Sequence, residues 1–276
     1  MKRILYLAIF FAVLLTSCTN NDSSASLANS PQVASVFLTD APNCHPNPLL
    51  QGRWQRYISV NLDIVGIQYY AKDSLSKDSV WKAPNFKETT INVSALSNGD
   101  STLLTMINIP AGEKVHKIKF LLGKNSTVML SDSTEKKLNI RERSDSSIVV
   151  KVMENPSALK FSIMLDFDIA HSIIMGPQGN FYLAPVMRGF IMQECAHIVG
   201  YVSPLKVATK VFVVNNLDTI STVSDTLRNN RFKLSGLHNG QYLLQFMPLT
   251  GTKVTVTKTV SVNGGRIINL GTIKVN

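Results

Sequence analysis

Cysteine is scarce in this chain: Cys18, Cys44 and Cys195 are the only three among 276 residues, and none stands in a C-x-x-C pair. The five histidines, at 45, 116, 171, 197 and 238, never adopt an H-x-x-x-H spacing. Both sequence marks of a zinc site are therefore missing. No glycine-rich loop follows a strand and opens a helix, and G-x-S-x-G is absent, so neither phosphate-cradling nor nucleophile-elbow chemistry has a template. The expectation is no metal, no cofactor and no enzymatic activity. The apolar run Ile4 to Leu15 falls short of the roughly 20 residues that a membrane-spanning helix needs. Acidic residues are also under-represented, 18 Asp+Glu against 28 Lys+Arg, for a formal charge of +10. The basic residues read as scattered over strands and loops, with no stripe and no RNA-binding motif. They are taken as solvated surface charge, with nucleic acid excluded as a partner.

What is present starts with the N-terminus. Lys2 and Arg3 precede the apolar run, which ends in Leu15-Thr16-Ser17-Cys18. Basic, apolar and small residues in that order make a secretory signal. The tetrad resembles the lipobox of bacterial lipoproteins, which implies cleavage of residues 1–17 and acylation of Cys18. Several acyl chains, each methylene contributing about 0.8 kcal/mol, hold such a protein on a membrane without spanning it. Residues 18–32 are small, polar and aperiodic, the composition of a flexible tether. The expected location is the cell envelope, at the outer membrane, with the lipid bilayer as one partner.

From residue 33 the hydrophobic period is two. In "YISVNLDIVGIQYY", Ile58, Val60, Leu62 and Ile64 alternate with polar residues, and then the apolar parity switches to Val65, Ile67 and Tyr69. A bulge near Gly66 produces such a switch. Further runs, among them "TLLTMINI", "KVHKIKFLL" and "ALKFSIMLDFD", give strands at turn spacings of about ten residues. The chain reads as all-β, with two consecutive β-sandwich domains after the signal and tether: residues 33–193 and 197–276. In the second, His238-Asn239-Gly240 and Asn263-Gly264-Gly265 are read as hairpin turns.

Four segments carry a resemblance in the first domain: "VFLTDAP" at 36–42, "VNLDIVGIQ" at 60–68, "IPAGEKVHKIKFLL" at 109–122, and "LDFDIAHSI" followed by "YLAPVMRGF" at 182–190. They resemble the DUF4382 type of lipoprotein domain, common in Bacteroidota, which implies a β-rich extracytoplasmic fold and no known chemistry. In the second domain, Gly200-x-Val202, Phe232-x-Leu234-x-Gly236-Leu237-x-x-Gly240-x-Tyr242 and "VSVNGGRIINLGTI" at 260–273 look like the carboxypeptidase regulatory-like, transthyretin-like sandwich. Relatives of that sandwich class form internal isopeptide bonds with a catalytic Glu. No Glu follows Glu194 here, so the cross-link is rejected.

Candidate sites are few. On "KFSIMLDFD", Phe161, Ile163, Leu165 and Phe167 share one strand face, while Asp166 and Asp168 share the other. Their separation of roughly 7 Å suits paired carboxylates, and Asp40 of "TDAP" supplies a third oxygen donor for a weak calcium alternative. The favoured reading is structural: turn and strand-end hydrogen bonds, or pairing with Arg188. Cys44 and Cys195 are candidates for a disulfide in an oxidising compartment. Trp54 and Trp81, with Tyr57, Tyr69 and Tyr70 nearby, are candidates for a sugar-stacking platform. Six Asp-Ser/Thr triplets, beginning at Asp73, Asp78, Asp100, Asp132, Asp218 and Asp225, resemble O-glycosylation sequons of Bacteroidota. They read equally as turn formers. The expected function is a noncatalytic, membrane-anchored binding or assembly module with an envelope-protein partner, or alternatively a carbohydrate-binding accessory lipoprotein with a glycan partner.

Overall fold

The structure is a computed structural model and describes residues 30–41, 57–73, 79–140, 147–152, 156, 158–215, 218–249 and 255–275. Cys18, Cys44, Trp54, the signal and residues 18–29 of the tether lie outside the described residues, while Gln32, expected to end the tether, already opens the first strand because its backbone pairs with the sheet. The fold is all-β, as the period of two requires. Strands of the first domain are β1 (Gln32–Ala41), β2 (Tyr57–Asp73), β3 (Ser79–Lys82), β4 (Thr89–Asn92), β5 (Thr102–Ile109), β6 (Glu113–Leu122), β7 (Thr127–Leu130), β8 (Glu135–Ile140), β9 (Ser147–Lys151), β10 (Lys160–Asp168), β11 (Ile173–Met175), β12 (Phe181–Leu183) and β13 (Met187–Ile191), with one short helix α1 (Ile169–Ser172). The second domain has β14 (Ala196–Ser203), β15 (Thr209–Asn215), β16 (Asp218–Val223), β17 (Arg231–Leu237), β18 (Gly240–Pro248), β19 (Val256–Val262) and β20 (Ile267–Lys274).

Two sheets make the first domain. One has four strands in the order β13-β10-β1-β5, and the other runs β11-β12-β8-β7-β2-β6-β9, with β3 and β4 also paired to β2. Alternation decides what lies between them. Ala34, Val36 and Leu38 of β1 and Phe161, Ile163, Leu165 and Phe167 of β10 face Val60, Leu62, Ile64, Ile118 and Phe120 of the opposite sheet in one apolar core. The parity switch at Gly66 is a register shift between Ile64 and Gly66, after which Ile67 and Tyr69 are the buried residues. At the start of β2 the expected alternation fails. Ile58 is 54% exposed and Tyr57 is buried, because a second shift between Tyr57 and Ser59 turns the strand over.

The second domain is a two-sheet sandwich, β17-β14-β20 against β16-β15-β18-β19, around Ile198, Val211, Val213, Phe232, Leu244 and Phe246. Here the sequence reading needs correction. Neither His238-Asn239-Gly240 nor Asn263-Gly264-Gly265 closes a hairpin, since β17 and β18 belong to different sheets, as do β19 and β20. Asn-Gly supplies positive φ wherever the chain bends sharply, and here that bend carries the chain from one layer to the other. Gly265 has φ +70°. The two corners are tied together by the Gly264 N–H, which donates to Asn239 Oδ1.

The domains meet closely. A third, small apolar cluster of Met164, Phe190 and Cys195, flanked by Phe37 and Met192, lies at the junction and belongs to neither main core.

Candidate functional site

The outer face of sheet β13-β10-β1-β5 carries Asp166 and Arg188, which the register places directly opposite each other on β10 and β13. Arg188 Nε and Nη2 donate to Asp166 Oδ2 at 2.8 and 2.7 Å. The same guanidinium reaches into the second domain, with Nη2 to the Ser235 carbonyl at 2.9 Å and Nη1 to the Gly236 carbonyl at 3.2 Å. A planar, five-donor fork does this where an ammonium cannot. It also lies over the Phe190 ring, 5.1 Å from the centroid. Gly236 is obligatory at the contact. Its φ is +75°, and a β-carbon there would sit 2.7 Å from Phe190 and 2.9 Å from Arg188 Nη1.

Asn98 completes the clamp on β17. Its side-chain amide donates to the Arg231 carbonyl at 3.0 Å and accepts from the Lys233 N–H at 2.8 Å, the donor and acceptor pair that a neighbouring strand would offer. Strand β17 ends its sheet. An uncovered edge is an aggregation hazard, and Asn98 and Arg188 together occupy this one. Arg228 makes a two-pronged exposed pair with Asp100, at 3.1 and 3.0 Å.

The other two carboxylates have different employment. Asp168 caps α1: Oδ1 accepts from the His171 N–H at 3.1 Å, and Oδ2 lies 2.6 Å from His171 Nδ1. Asp40 pairs in register with Phe167, not Asp166, and is 5% exposed. Burial first, then the nearby charge of Asp166, pushes its carboxyl well above the ordinary range, against a lowering contribution from the Ile169 N–H. Its Oδ1 has no hydrogen-bond partner among the described residues. Asp166 and Asp168 of the calcium alternative are engaged by Arg188 and by the helix cap, and no group of three His, Cys, Asp or Glu among the described residues is arranged to hold a metal. Between the domains lies a cavity of about 180 Å³, walled by Phe37, Asp40, Asp166, Arg188, Lys233 and Ser235 among others. Sequence reasoning had the Asp166–Arg188 partnership in hand. It missed Asn98 and Gly236, whose roles exist only once the second domain is docked.

At the junction Cys195 is fully buried. His197 Nε2 is 3.0 Å from the Met192 carbonyl, and burial holds its imidazole below the usual value. Among the aromatic candidates, Tyr57 and Tyr69 are core residues. Tyr70 and Trp81 lie on the exposed outer face of the larger sheet, ring centroids 5.5 Å apart, and Lys119 Nζ stands 4.1 Å above the Trp81 ring. That ammonium covers one indole face. Two of the Asp-Ser/Thr triplets are Asx turns, with Asp132 Oδ1 accepting from Thr134 N–H and Asp225 Oδ1 from Leu227 N–H, both at 2.9 Å.

Fold and site together define an all-β, two-domain protein whose prominent charges join the domains. Residues 33–185 match the family described as Domain of unknown function (DUF4382), and the chain belongs to that family. No curated protein matches it. Among solved structures, a fimbrial protein from Bacteroides ovatus is 8% identical with a TM-score of 0.25, over 90% of this chain and 50% of that one. A putative adhesin from Bacteroides ovatus is 9% identical with a TM-score of 0.23, over 96% and 98%. The Bacillus anthracis TIE protein is 7% identical with a TM-score of 0.22, over 88% of this chain and 34% of that one, so this chain spans about a third of it. At these scores the likenesses carry no argument about function.

Proposed function

We propose that the chain is a noncatalytic binding or assembly module of the cell envelope, in which two β-domains act as one body held to a membrane by acylated Cys18. The observation that supports this most directly is the use of Asp166 and Arg188 as an interdomain clamp. Asp166 Oδ2 takes two donors of one guanidinium that is itself fixed to the second domain, which gives this carboxylate a structural employment. Asp168 is likewise spent on a helix cap. No helix among the described residues is long and apolar enough to cross a membrane, so attachment in this reading falls to the lipid. The outer membrane is the proposed site, and a disulfide between Cys44 and Cys195 is part of the same extracytoplasmic reading.

Labelling of expressing cells with a palmitate analogue tests the anchor. Incorporation at Cys18 and release of Cys18→Ser into the soluble fraction are the expected results, and an unmodified, soluble wild-type chain overturns the anchor. Cross-linking in intact envelopes tests the module: a defined partner or polymer held by the folded chain supports it, and turnover of a substrate abolished by Asp166→Asn overturns it. A glycan-binding accessory role is the second reading, and the surface position of Trp81 favours it. Loss of glycan retention in Trp81→Ala is its signature.

A further inference from the structure

The outer face of the larger sheet collects charge in a way the linear sequence conceals. Tyr70 pairs in register with Trp81 on one side and Lys117 on the other, and Lys117 pairs with Lys151, so one row runs Trp81, Tyr70, Lys117, Lys151 across β3, β2, β6 and β9. Beside it, Lys72 pairs with Lys114, while Lys119 lies between Gln68 and Val149. Residues paired across antiparallel strands share a face, so five lysines occupy one surface. Five of the 28 basic residues, expected to be scattered, are thus gathered on one face by strand pairing.

Two of these pairs, Lys117 with Lys151 and Lys72 with Lys114, set like charges directly opposite each other, an arrangement that destabilises a sheet. Among the described residues no salt bridge to any of the five is seen, and Glu113, next to Lys114 on β6, is engaged by Lys82 at 2.6 Å. Aromatic rings hold part of the charge in place. Lys119 Nζ is 4.1 Å from the Trp81 centroid and Lys117 Nζ is 5.3 Å from that of Tyr70. Ammoniums fixed in this way lose less freedom when a partner arrives.

We propose that this face binds an acidic polysaccharide, its lysines meeting successive carboxylate or sulfate groups along the polymer. This deepens the binding-module reading and rests on it, but not on the lipid anchor. The row crosses four strands at about 4.8 Å each, an extended track suited to a linear chain. Bilayer docking is the weaker fit, because Val149, at 48% exposure, is the exposed large apolar side chain on these paired positions. Insertion needs more apolar surface than that.

The test uses the chain from Cys18 onward with heparin and polygalacturonate as probes, measured by calorimetry at low and at high salt. Binding is expected to weaken steeply with salt and to fall about tenfold or more in Lys117→Glu/Lys151→Glu. The milder Lys117→Gln/Lys151→Gln should lose part of it with an unchanged melting temperature or a slightly raised one. Lys258→Glu, exposed on β19 of the second domain, should bind as wild type. Equal loss in Lys258→Glu means that net charge alone is felt and overturns the patch. Binding only to phosphatidylglycerol vesicles, or no binding to either polymer at low salt, also overturns it. Retention of neutral glycans alone sinks the acidic-polymer inference and leaves the binding-module reading standing.

Discussion

The first domain has two outward faces, and they treat charge oppositely. On sheet β13-β10-β1-β5 the buried carboxylate of Asp166 is held by Arg188, and Arg188 in turn holds the Ser235 and Gly236 carbonyls of the second domain. On the other face lysine stands opposite lysine, with no carboxylate between them among the described residues. The covered face spends its charge on architecture. The open one sets like charges side by side, with no ion pair to them among the described residues.

The covered face is where substitution should be most damaging. Arg188→Ala leaves the buried Asp166 carboxylate uncompensated and uncovers the edge of β17, and a loss of about 3 kcal/mol is expected in urea denaturation. Arg188→Lys should recover little of it, since a single ammonium cannot reach Asp166 and two carbonyls together. If Arg188→Ala melts like wild type, the covered face is no more committed than the open one and the contrast collapses.

Asp40 sharpens the comparison next. Its folded-state pKa is raised by burial, so the folded protein binds more protons than the unfolded one over the intervening window. The stability that Asp40 contributes is present below its unfolded value near 3.8 and is lost as pH rises through the raised folded value. Asp40→Asn removes the buried titrating carboxyl and should flatten the stability profile above pH 4, with a gain of about 1–3 kcal/mol on the alkaline side of the raised folded value. His197 acts in the reverse sense. Its folded pKa is lowered from 6.5 by burial, so its contribution is present above that value and lost as pH falls through the lowered one. His197→Gln, which keeps an amide donor for the Met192 carbonyl, should blunt the loss on acidification. Denaturation midpoints taken across pH 4–8 for the two variants separate these slopes.

How much of this was legible in advance depends on how local the determinant is. The core face of β10, the opposing face of Asp166 and Asp168, the Arg188 partnership and the shift at Gly66 all follow from alternation within one strand or its neighbour, and the sequence displays alternation directly. The corners at 238–240 and 263–265 were read as hairpins because Asn-Gly reports positive φ. It does not report whether the next strand returns to the same sheet, which the sandwich core decides. Asn98 carries no local signal, since its partners at Arg231 and Lys233 lie far along the chain. The lysine face was invisible for the same reason: Lys72, Lys117 and Lys151 become neighbours only through the pairing of β2, β6 and β9.

The smallest effect tests the open face in isolation. If Lys117 and Lys151 repel each other across β6 and β9, Lys117→Gln should stabilise the protein by about 0.2–1 kcal/mol, the reverse of the usual effect of removing a native side chain. Glutamine keeps the first two of lysine's four methylenes but gives up the ammonium over Tyr70, which offsets part of the gain. The repulsion acts through water and is screened within about 10 Å at 0.1 M salt, so the gain should be largest in low-salt buffer and fade as salt is added. A saturating acidic polymer should reverse the order, stabilising wild type more than Lys117→Gln, because the ligand brings negative charge to a face where lysine stands opposite lysine. Thermal melts of both proteins, with and without salt and with and without polygalacturonate, read all three outcomes. A Lys117→Gln protein less stable than wild type at every salt concentration would show that the row is a packed surface and not a strained one.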